Sequence, residues 1–145
     1  MNDPLQVLLI EDDPDVRLGC EQALQLEDIA VSGVASAEQA QRRIGRDFAG
    51  VVVSDIRLPG MDGMALLKAL RLIDPELPVV LITGHGDVSL AVQAMKDGAH
   101  DFIEKPFSPD LLVEVVRRAL DKRRLTLELR QLKARLASRD RLEAQ

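Results

Sequence analysis

Five short runs of apolar, often β-branched residues recur along the chain, and segments with helical spacing separate them. The runs cover residues 7–10, 29–34, 51–54, 79–83 and 101–103. The helical segments cover about 14–26, 36–45, 63–73, 87–97 and 109–140. This alternation predicts right-handed βαβ units and a parallel sheet with helices on both faces. Two runs, VLLI and VVV, contain no polar residue, which is typical of strands buried on both sides.

The predicted helices have recognisable ends. Asp13 stands before Pro14, so its carboxylate is expected to cap the first helix rather than to bind a metal. Ser36 with Gln39 three residues later fits a capping box at the second helix. Gly98 follows the fourth helix and suits the left-handed conformation that commonly ends one. These signals support the order of elements above.

Length and composition favour one domain with an aliphatic core. The 145 residues include three Phe and no Trp or Tyr, so Leu, Val, Ile and Ala must fill the interior. The single cysteine, Cys20, permits no internal disulfide, which suits a reducing compartment. No stretch is long and apolar enough for a membrane span, and no signal peptide is visible. We therefore expect a cytoplasmic protein without membrane contact.

The alternation of strands and helices fits either a complete small domain or half of a larger nucleotide-binding domain. The residues at the strand ends distinguish these two possibilities. Ligands of open parallel sheets lie beyond the carboxyl ends of the strands. Acidic, hydroxyl and basic residues follow four of the predicted strands, namely Glu11-Asp12-Asp13, Ser54-Asp55, Thr83-Gly84 and Lys105-Pro106.

Carboxylates gathered at one edge of a sheet repel one another and raise each other's pKa. A divalent cation relieves that repulsion, and a site built from oxygen ligands suits Mg²⁺. A carboxylate beside such an ion is placed to attack phosphorus, while a lysine and a threonine can hold the other phosphoryl oxygens. The strand ends therefore predict phosphoryl transfer.

At this point the sequence resembles a known family. The set EDD (11–13), D (55), T (83) and KP (105–106) resembles the receiver domains of bacterial two-component response regulators, over about residues 5–120. The stretches SDIRLPGMDG (54–63) and TGHGDVSLAVQAMKDGAHDFIEKPF (83–107) resemble receivers of sigma-54-dependent activators of the nitrogen-regulator type, and among them the dicarboxylate-transport regulators. The resemblance implies a flavodoxin-like (CheY-like) α/β fold, with a five-stranded parallel sheet of order 2-1-3-4-5.

The resemblance also implies the roles of the acidic residues. Asp55 is the phosphoacceptor, which a sensor histidine kinase phosphorylates. Glu11 and Asp12 hold Mg²⁺ together with Asp55 and the backbone carbonyl of Arg57. Such a domain is a signalling receiver rather than an enzyme, because it promotes only its own aspartyl phosphorylation and dephosphorylation.

Further roles concern the phosphoryl group itself. By the same resemblance, Thr83 and Lys105 bind the group, and the backbone N–H groups of Ile56 and Gly84 are additional donors. Phe102 is the switch aromatic, whose rotamer is expected to follow the hydroxyl of Thr83.

The same fold class supports two other functions, and the sequence argues against both. A magnesium-dependent phosphatase with an aspartyl nucleophile would resemble an Asp-x-Asp pattern, but Arg57 occupies the position of the second Asp and supplies no general acid. A flavin-binding module would need a phosphate loop rich in Ser, Thr and Gly after the first strand, where the acidic EDDP stands instead.

The C-terminal segment differs in charge and pattern from the rest. Acidic residues predominate up to residue 109, and basic residues predominate afterwards. Four leucines with 4-3-4 spacing form the seam of a short coiled coil, here called the leucine seam: Leu125, Leu129, Leu132 and Leu136. We therefore expect a receiver over residues 1–120 and a solvated helical linker over 121–145. The linker should form a homodimer, lead to ATPase and DNA-binding domains, and make no nucleic-acid contact of its own.

Overall fold

The computed structural model describes residues 5–143, with side chains described up to residue 141. Five strands alternate with five helices along this part of the chain. The strands are β1 (Gln6–Ile10), β2 (Ala30–Val34), β3 (Gly50–Asp55), β4 (Val79–Thr83) and β5 (Asp101–Glu104). The helices are α1 (Pro14–Gln25), α2 (Ala37–Gln41), α3 (Gly63–Ile73), α4 (Val88–Lys96) and α5 (Pro109–Glu143).

The sheet is parallel throughout and has the order β2-β1-β3-β4-β5. The predicted fold class and strand order are therefore confirmed. The strand order changes direction at β1 and β3, because β2 lies on one side of β1 and the later strands lie on the other. Strands β1 and β3 pair with Ile10 opposite Ser54. In this topology a ligand site is expected beyond the carboxyl ends of those two strands.

Two aliphatic cores cover the two faces of the sheet. Successive side chains of β1 alternate between them, because neighbouring strand residues point to opposite faces. Val7 and Leu9 join the core that α1 and α5 cover, and Leu8 and Ile10 join the core that α2, α3 and α4 cover. This arrangement explains why the buried part of β1, residues 7–10, contains no polar residue.

The predicted helix ends are found at the capping residues. Asp13 accepts hydrogen bonds from the N–H groups of Asp15 (2.9 Å) and Val16 (3.3 Å), so it caps α1 as expected. The Ser36 hydroxyl accepts the N–H of Gln39 at 3.2 Å and caps α2. Gly98 has a φ of 101°, in the left-handed region, directly after α4 and its C-cap residue.

Helix α2 is shorter than the predicted segment 36–45, since it ends at Gln41. The N–H of Arg43 bonds to the carbonyl of Ala40, and that of Ile44 bonds to the carbonyl of Gln41. These contacts span three residues instead of four, so the helix tightens into a turn. The turn carries Ile44 into the core.

Helix α5 runs without a break across the predicted boundary between residues 120 and 121. The expectation of a solvated segment from residue 121 onward is wrong for Arg123, whose side chain is fully buried. Its burial depends on loops distant in sequence, which the local basic pattern could not reveal. Within residues 5–143, every helix is too polar or too short to cross a lipid bilayer.

Candidate functional site

Three carboxylates meet at the carboxyl edge of the sheet. Glu11 and Asp12 follow β1, and Asp55 ends the neighbouring strand β3. One carboxylate oxygen from each of the three residues lies within 4.8 Å of the others. Because β1 and β3 are adjacent parallel strands, their ends present these groups to the same space. The structure thus brings together the acidic residues selected from the sequence.

Lys105 bridges two of these carboxylates. Its Nζ atom lies 2.8 Å from Oδ2 of Asp55 and 3.3 Å from Oε1 of Glu11. The backbone N–H of Lys105 donates to the Thr83 carbonyl at 2.9 Å, which fixes the base of the side chain. Burial lowers the pKa of Lys105, but the hydrogen bond and the charge of Asp55 outweigh it and raise the pKa overall. The ammonium is therefore charged at neutral pH.

The surrounding cluster disfavours the charged form of the Glu11 carboxyl. Only 3% of the residue is exposed, and burial together with the charge of Asp55 raises the pKa of its carboxyl. Asp12 is exposed beside it. Carboxylates held this closely, one of them open to solvent, form a donor set that fits a hard divalent cation such as Mg²⁺.

The surroundings of Asp55 fix its position. The N–H of Arg57 donates to its Oδ1 atom at 3.3 Å, and the Ser54 hydroxyl donates to its carbonyl at 2.9 Å. Gly63, at the start of α3, packs directly against this backbone. A Cβ atom there would lie 2.5 Å from the Asp55 carbonyl oxygen and 2.8 Å from Cα of Ile56. Only a glycine therefore lets α3 approach the end of β3 this closely.

Thr83 carries a buried hydroxyl that has no partner within the described part of the chain. The residue is 1% exposed, and its Oγ1 atom makes no hydrogen bond to residues 5–141. Buried polar groups are nearly always satisfied, so such a hydroxyl suggests a ligand that is not part of the chain. Gly84 follows directly at the end of β4. Phe102 on β5 is 38% exposed and does not fill the interior.

An open cleft of about 550 Å³ adjoins the acidic cluster. Its lining includes Asp12, Arg57 and Asp62 and the apolar side chains of Met64 and Leu90. The cleft is large enough to admit a group from another molecule to the carboxylates. The site is therefore an accessible rim and not a closed cavity.

The profile of the response regulator receiver domain family matches residues 7–117. The chain belongs to this receiver family. The receiver resembles a receiver-domain protein from Clostridium thermocellum, with a TM-score of 0.79 and 27% identity over 84% of this chain and 98% of that one.

Two curated relatives refine the likeness. The C4-dicarboxylate transport transcriptional regulatory protein DctD of Rhizobium meliloti is 54% identical over 127 residues, which are 88% of this chain and 28% of the relative. DctD of Pseudomonas aeruginosa is 56% identical over 137 residues, 94% of this chain and 30% of the relative. The predicted resemblance to sigma-54-type activators is confirmed. The receiver spans less than a third of these relatives' length.

One predicted phosphoryl donor is engaged within the sheet. The N–H of Ile56 bonds to the carbonyl of Ile82 at 3.0 Å, as part of the pairing of Asp55 with Ile82. The next N–H, that of Arg57, points to the Asp55 carboxylate. The role of Ile56 as a phosphoryl donor therefore stays a prediction, and Arg57 offers a second donor.

The packing role of Gly63 is not evident from the sequence. The segment 60–63 reads as a flexible turn, yet Gly63 is buried and donates its N–H to the Ile56 carbonyl at 2.8 Å. A glycine at the first position of a helix could have drawn attention, because glycine is unfavourable inside helices. The sequence alone could not show which backbone lies against it.

Proposed function

We propose that this receiver accepts a phosphoryl group on Asp55 from a sensor histidine kinase, with Mg²⁺ bound at the acidic cluster. The observation that supports this most directly is the convergence of Glu11, Asp12 and Asp55 with Lys105, across almost a hundred positions of sequence. A purely structural ion pair would not require a third carboxylate, Asp12, beside the two that Lys105 contacts. The cluster is partly open to a cleft, as a group-transfer site must be.

Asp55 acts as the nucleophile. One carboxylate oxygen forms a bond to phosphorus while the bond from phosphorus to the donor breaks, and the donor leaves with its electron pair. Lys105 remains within reach of the added oxygens and offsets their charge. The backbone N–H groups of Arg57 and Gly84 are proposed as further donors to the same oxygens.

Glu11, Asp12, Asp55 and the backbone carbonyl of Arg57 are the groups proposed to hold the ion. When bound, Mg²⁺ neutralises charge on the reacting oxygens and orients them. Asp12 is exposed and suits direct coordination, whereas the buried Glu11 shapes the charge of the site. The ion would also relieve the repulsion that raises the pKa of Glu11.

Thr83 is proposed to report the modification. Its unpartnered hydroxyl gains an acceptor when Asp55 carries a phosphoryl group. When the Thr83 side chain moves toward that acceptor, it leaves space for Phe102. Phe102 is partly exposed and can then turn inward. The surface around β5 then changes while the sheet stays fixed.

Beryllofluoride, a phosphoryl mimic, tests this proposal. The chain is compared in Mg²⁺ alone and in Mg²⁺ with beryllofluoride, by amide hydrogen exchange over residues 83–104 and by sedimentation. Wild type should respond, and Asp55→Asn should not. If both proteins respond identically, Asp55 is not the acceptor and the switch fails.

We further propose that phosphorylation acts through a homodimer in the cytoplasm and controls an attached sigma-54-type ATPase and DNA-binding domain. The relatives are much longer regulators, so these partners belong to the part of their length that this chain does not span. The leucine seam is exposed on α5, each leucine by between 48% and 67%. Such a surface is suited to a second copy.

A further inference from the structure

Helix α5 is tied to the receiver by a buried arginine at the sheet edge opposite the phosphoacceptor site. Arg123 has no exposed surface, and its Nε and Nη2 atoms donate to the Phe48 carbonyl at 3.0 Å. Nη2 also donates to the Arg46 carbonyl at 3.1 Å, and Nη1 lies 2.8 Å from Oδ2 of Asp74. These partners belong to the loops before β3 and β4.

A second arginine two turns later reaches the same carboxylate. Arg130 contacts Asp74 with both guanidinium ends, at 3.1 Å to Oδ2 and 2.8 Å to Oδ1. It also bonds to Asp47 at 2.9 Å and to Glu76 at 3.0 Å. The bidentate geometry fixes direction as well as distance, because the guanidinium plane must lie along the carboxylate.

Asp74 is satisfied from all sides. It is 1% exposed, and the N–H of Glu76 donates to its Oδ1 atom at 2.9 Å in addition to the two arginines. A buried charge is tolerated only when it is paired and hydrogen-bonded. Asp74, Arg123 and Arg130 are here called the Asp74 clamp. Arg130 pairs with Asp74 and donates hydrogen bonds to it, whereas Arg123 pairs with Asp74 by charge and donates its hydrogen bonds to the Phe48 and Arg46 carbonyls.

The clamp also fixes the rotation of the helix about its own axis. Arg123 and Arg130 are seven residues apart and therefore lie on one face of α5. With 3.6 residues per turn, the leucine seam falls on roughly the opposite face. All four seam leucines are exposed, in agreement with that placement.

We propose that Asp74 is a positioning residue: through Arg123 and Arg130 it makes α5 up to residue 130 a rigid part of the receiver and turns the leucine seam outward, toward a second copy. The role of the seam rests on the homodimer proposed above, whereas the rigid attachment does not. The receiver thereby sets the direction from which a partner helix must approach.

Distances between two spin labels test the clamp in the full 145-residue chain. Labels are attached to cysteines introduced by Lys68→Cys and Lys133→Cys in a Cys20→Ser background. An excess of unlabelled chain suppresses distances between labels on different copies. Lys68 lies on α3 and Lys133 on α5, and both are exposed. We expect a narrow distance distribution with the clamp intact.

Arg130→Gln and Arg123→Gln should each broaden that distribution at least twofold and raise amide exchange in residues 121–134 about tenfold. Arg124→Gln is the matched control, because Arg124 stands on the same helix and pairs only with Asp121 among the contacts of its described side chain. It should leave both measurements unchanged. If Arg123→Gln does not fold, the partly exposed Arg130 decides the matter.

The proposal is overturned if Arg130→Gln keeps the narrow distribution and the slow exchange of wild type. Uptake of a phosphoryl group from acetyl phosphate is measured on the same samples and should stay within twofold of wild type for all three variants. A wild-type chain that takes up no phosphoryl group contradicts the proposed function alone. The label distances judge the clamp independently of that result.

Discussion

At the scale of single residues, the site contains groups whose burial is energetically unfavourable when no ligand is bound. Glu11 is buried beside Asp55, which raises its pKa, and the Thr83 hydroxyl is buried without a partner among the described side chains. Neither arrangement contributes to the stability of the fold. Under the proposed function, a cation and a phosphoryl group at the site would give each group an oppositely charged or accepting neighbour.

The substitution Thr83→Val should raise the stability of the fold and abolish its response to beryllofluoride. Valine has nearly the same shape and removes the unsatisfied hydroxyl, so the free energy of unfolding should rise by up to about 1 kcal/mol. The response of hydrogen exchange to beryllofluoride should be lost. Urea unfolding measures the first effect. Thr83→Ser, which keeps the hydroxyl, is the control and should retain the response; a Thr83→Val chain that responds like wild type would contradict the role of the hydroxyl.

Gly63→Ala should damage the acceptor site through sterics alone. The new methyl group would press on the Asp55 carbonyl and on Cα of Ile56, so unfolding should become easier by about 1–3 kcal/mol and phosphorylation slower. Gly19→Ala is the control, because Gly19 is exposed in α1 and has open space around it. That change should stabilise the chain by about 0.5–1 kcal/mol. Equal effects of the two substitutions would show that packing at position 63 is unimportant.

The chemical groups of the site were largely predictable from the sequence, whereas the backbone geometry around them was not. Asp12, Asp55 and Lys105 could be found because residues after parallel strands must share one sheet edge. The sequence did not show that the Ile56 N–H bonds to the Ile82 carbonyl while the Arg57 N–H points to Asp55. Both contacts depend on backbone geometry, which no side-chain pattern encodes.

At the scale of elements, α5 has two different functions along its length. Its first three turns cover one face of the sheet, and its later turns carry the clamp and the leucine seam. The sequence predicted the length of the helix and the seam, because both follow from spacing. The burial of Arg123 escaped prediction, because its partners are carbonyls of two remote loops.

Stability in acid should depend on Asp74. Burial raises its pKa, but the hydrogen bonds from Arg130 and Glu76 and the charge of Arg123 outweigh this and lower the pKa from 3.8 to about 2. The carboxylate therefore stabilises the fold fully above its unfolded-state pKa, and the contribution is lost as the pH falls toward 2. The loss should be on the order of 2 kcal/mol.

Urea unfolding between about pH 5 and pH 2 measures this contribution. Asp74→Asn should start less stable than wild type and should show a shallower decline over this range. Asp121→Asn controls for the removal of an exposed carboxylate from α5. Parallel stability curves for wild type and Asp74→Asn would mean that the clamp carboxylate is not held in its charged form.

The leucine seam should be needed for self-association. Leu132→Asp places a charge at the centre of the seam, so it should weaken the homodimer at least tenfold, because a desolvated charge has no partner there. Sedimentation equilibrium gives the dissociation constant. Leu72→Asp is the matched control, since Leu72 is 89% exposed on α3, away from the seam. A dimer that is equally sensitive to both changes would place the interface elsewhere.

At the scale of the whole molecule, the receiver has the proposed phosphoacceptor site at one edge of the sheet and the attachment of helix α5 at the other. The five βα units predicted from the alternation of apolar runs determine this layout, because a right-handed parallel sheet puts all strand ends on one side. Helix α5 passes the opposite edge and is held there by the loops before β3 and β4.

The most direct measurement is the mass of the chain after incubation with acetyl phosphate and Mg²⁺. Wild type should gain one phosphoryl group, and peptide mapping should locate it on Asp55. Removal of Mg²⁺ by a chelator should prevent the gain, and Asp55→Asn should show none. A wild-type mass that never changes, or an equal gain in Asp55→Asn, would contradict the assignment of Asp55 as the phosphoacceptor.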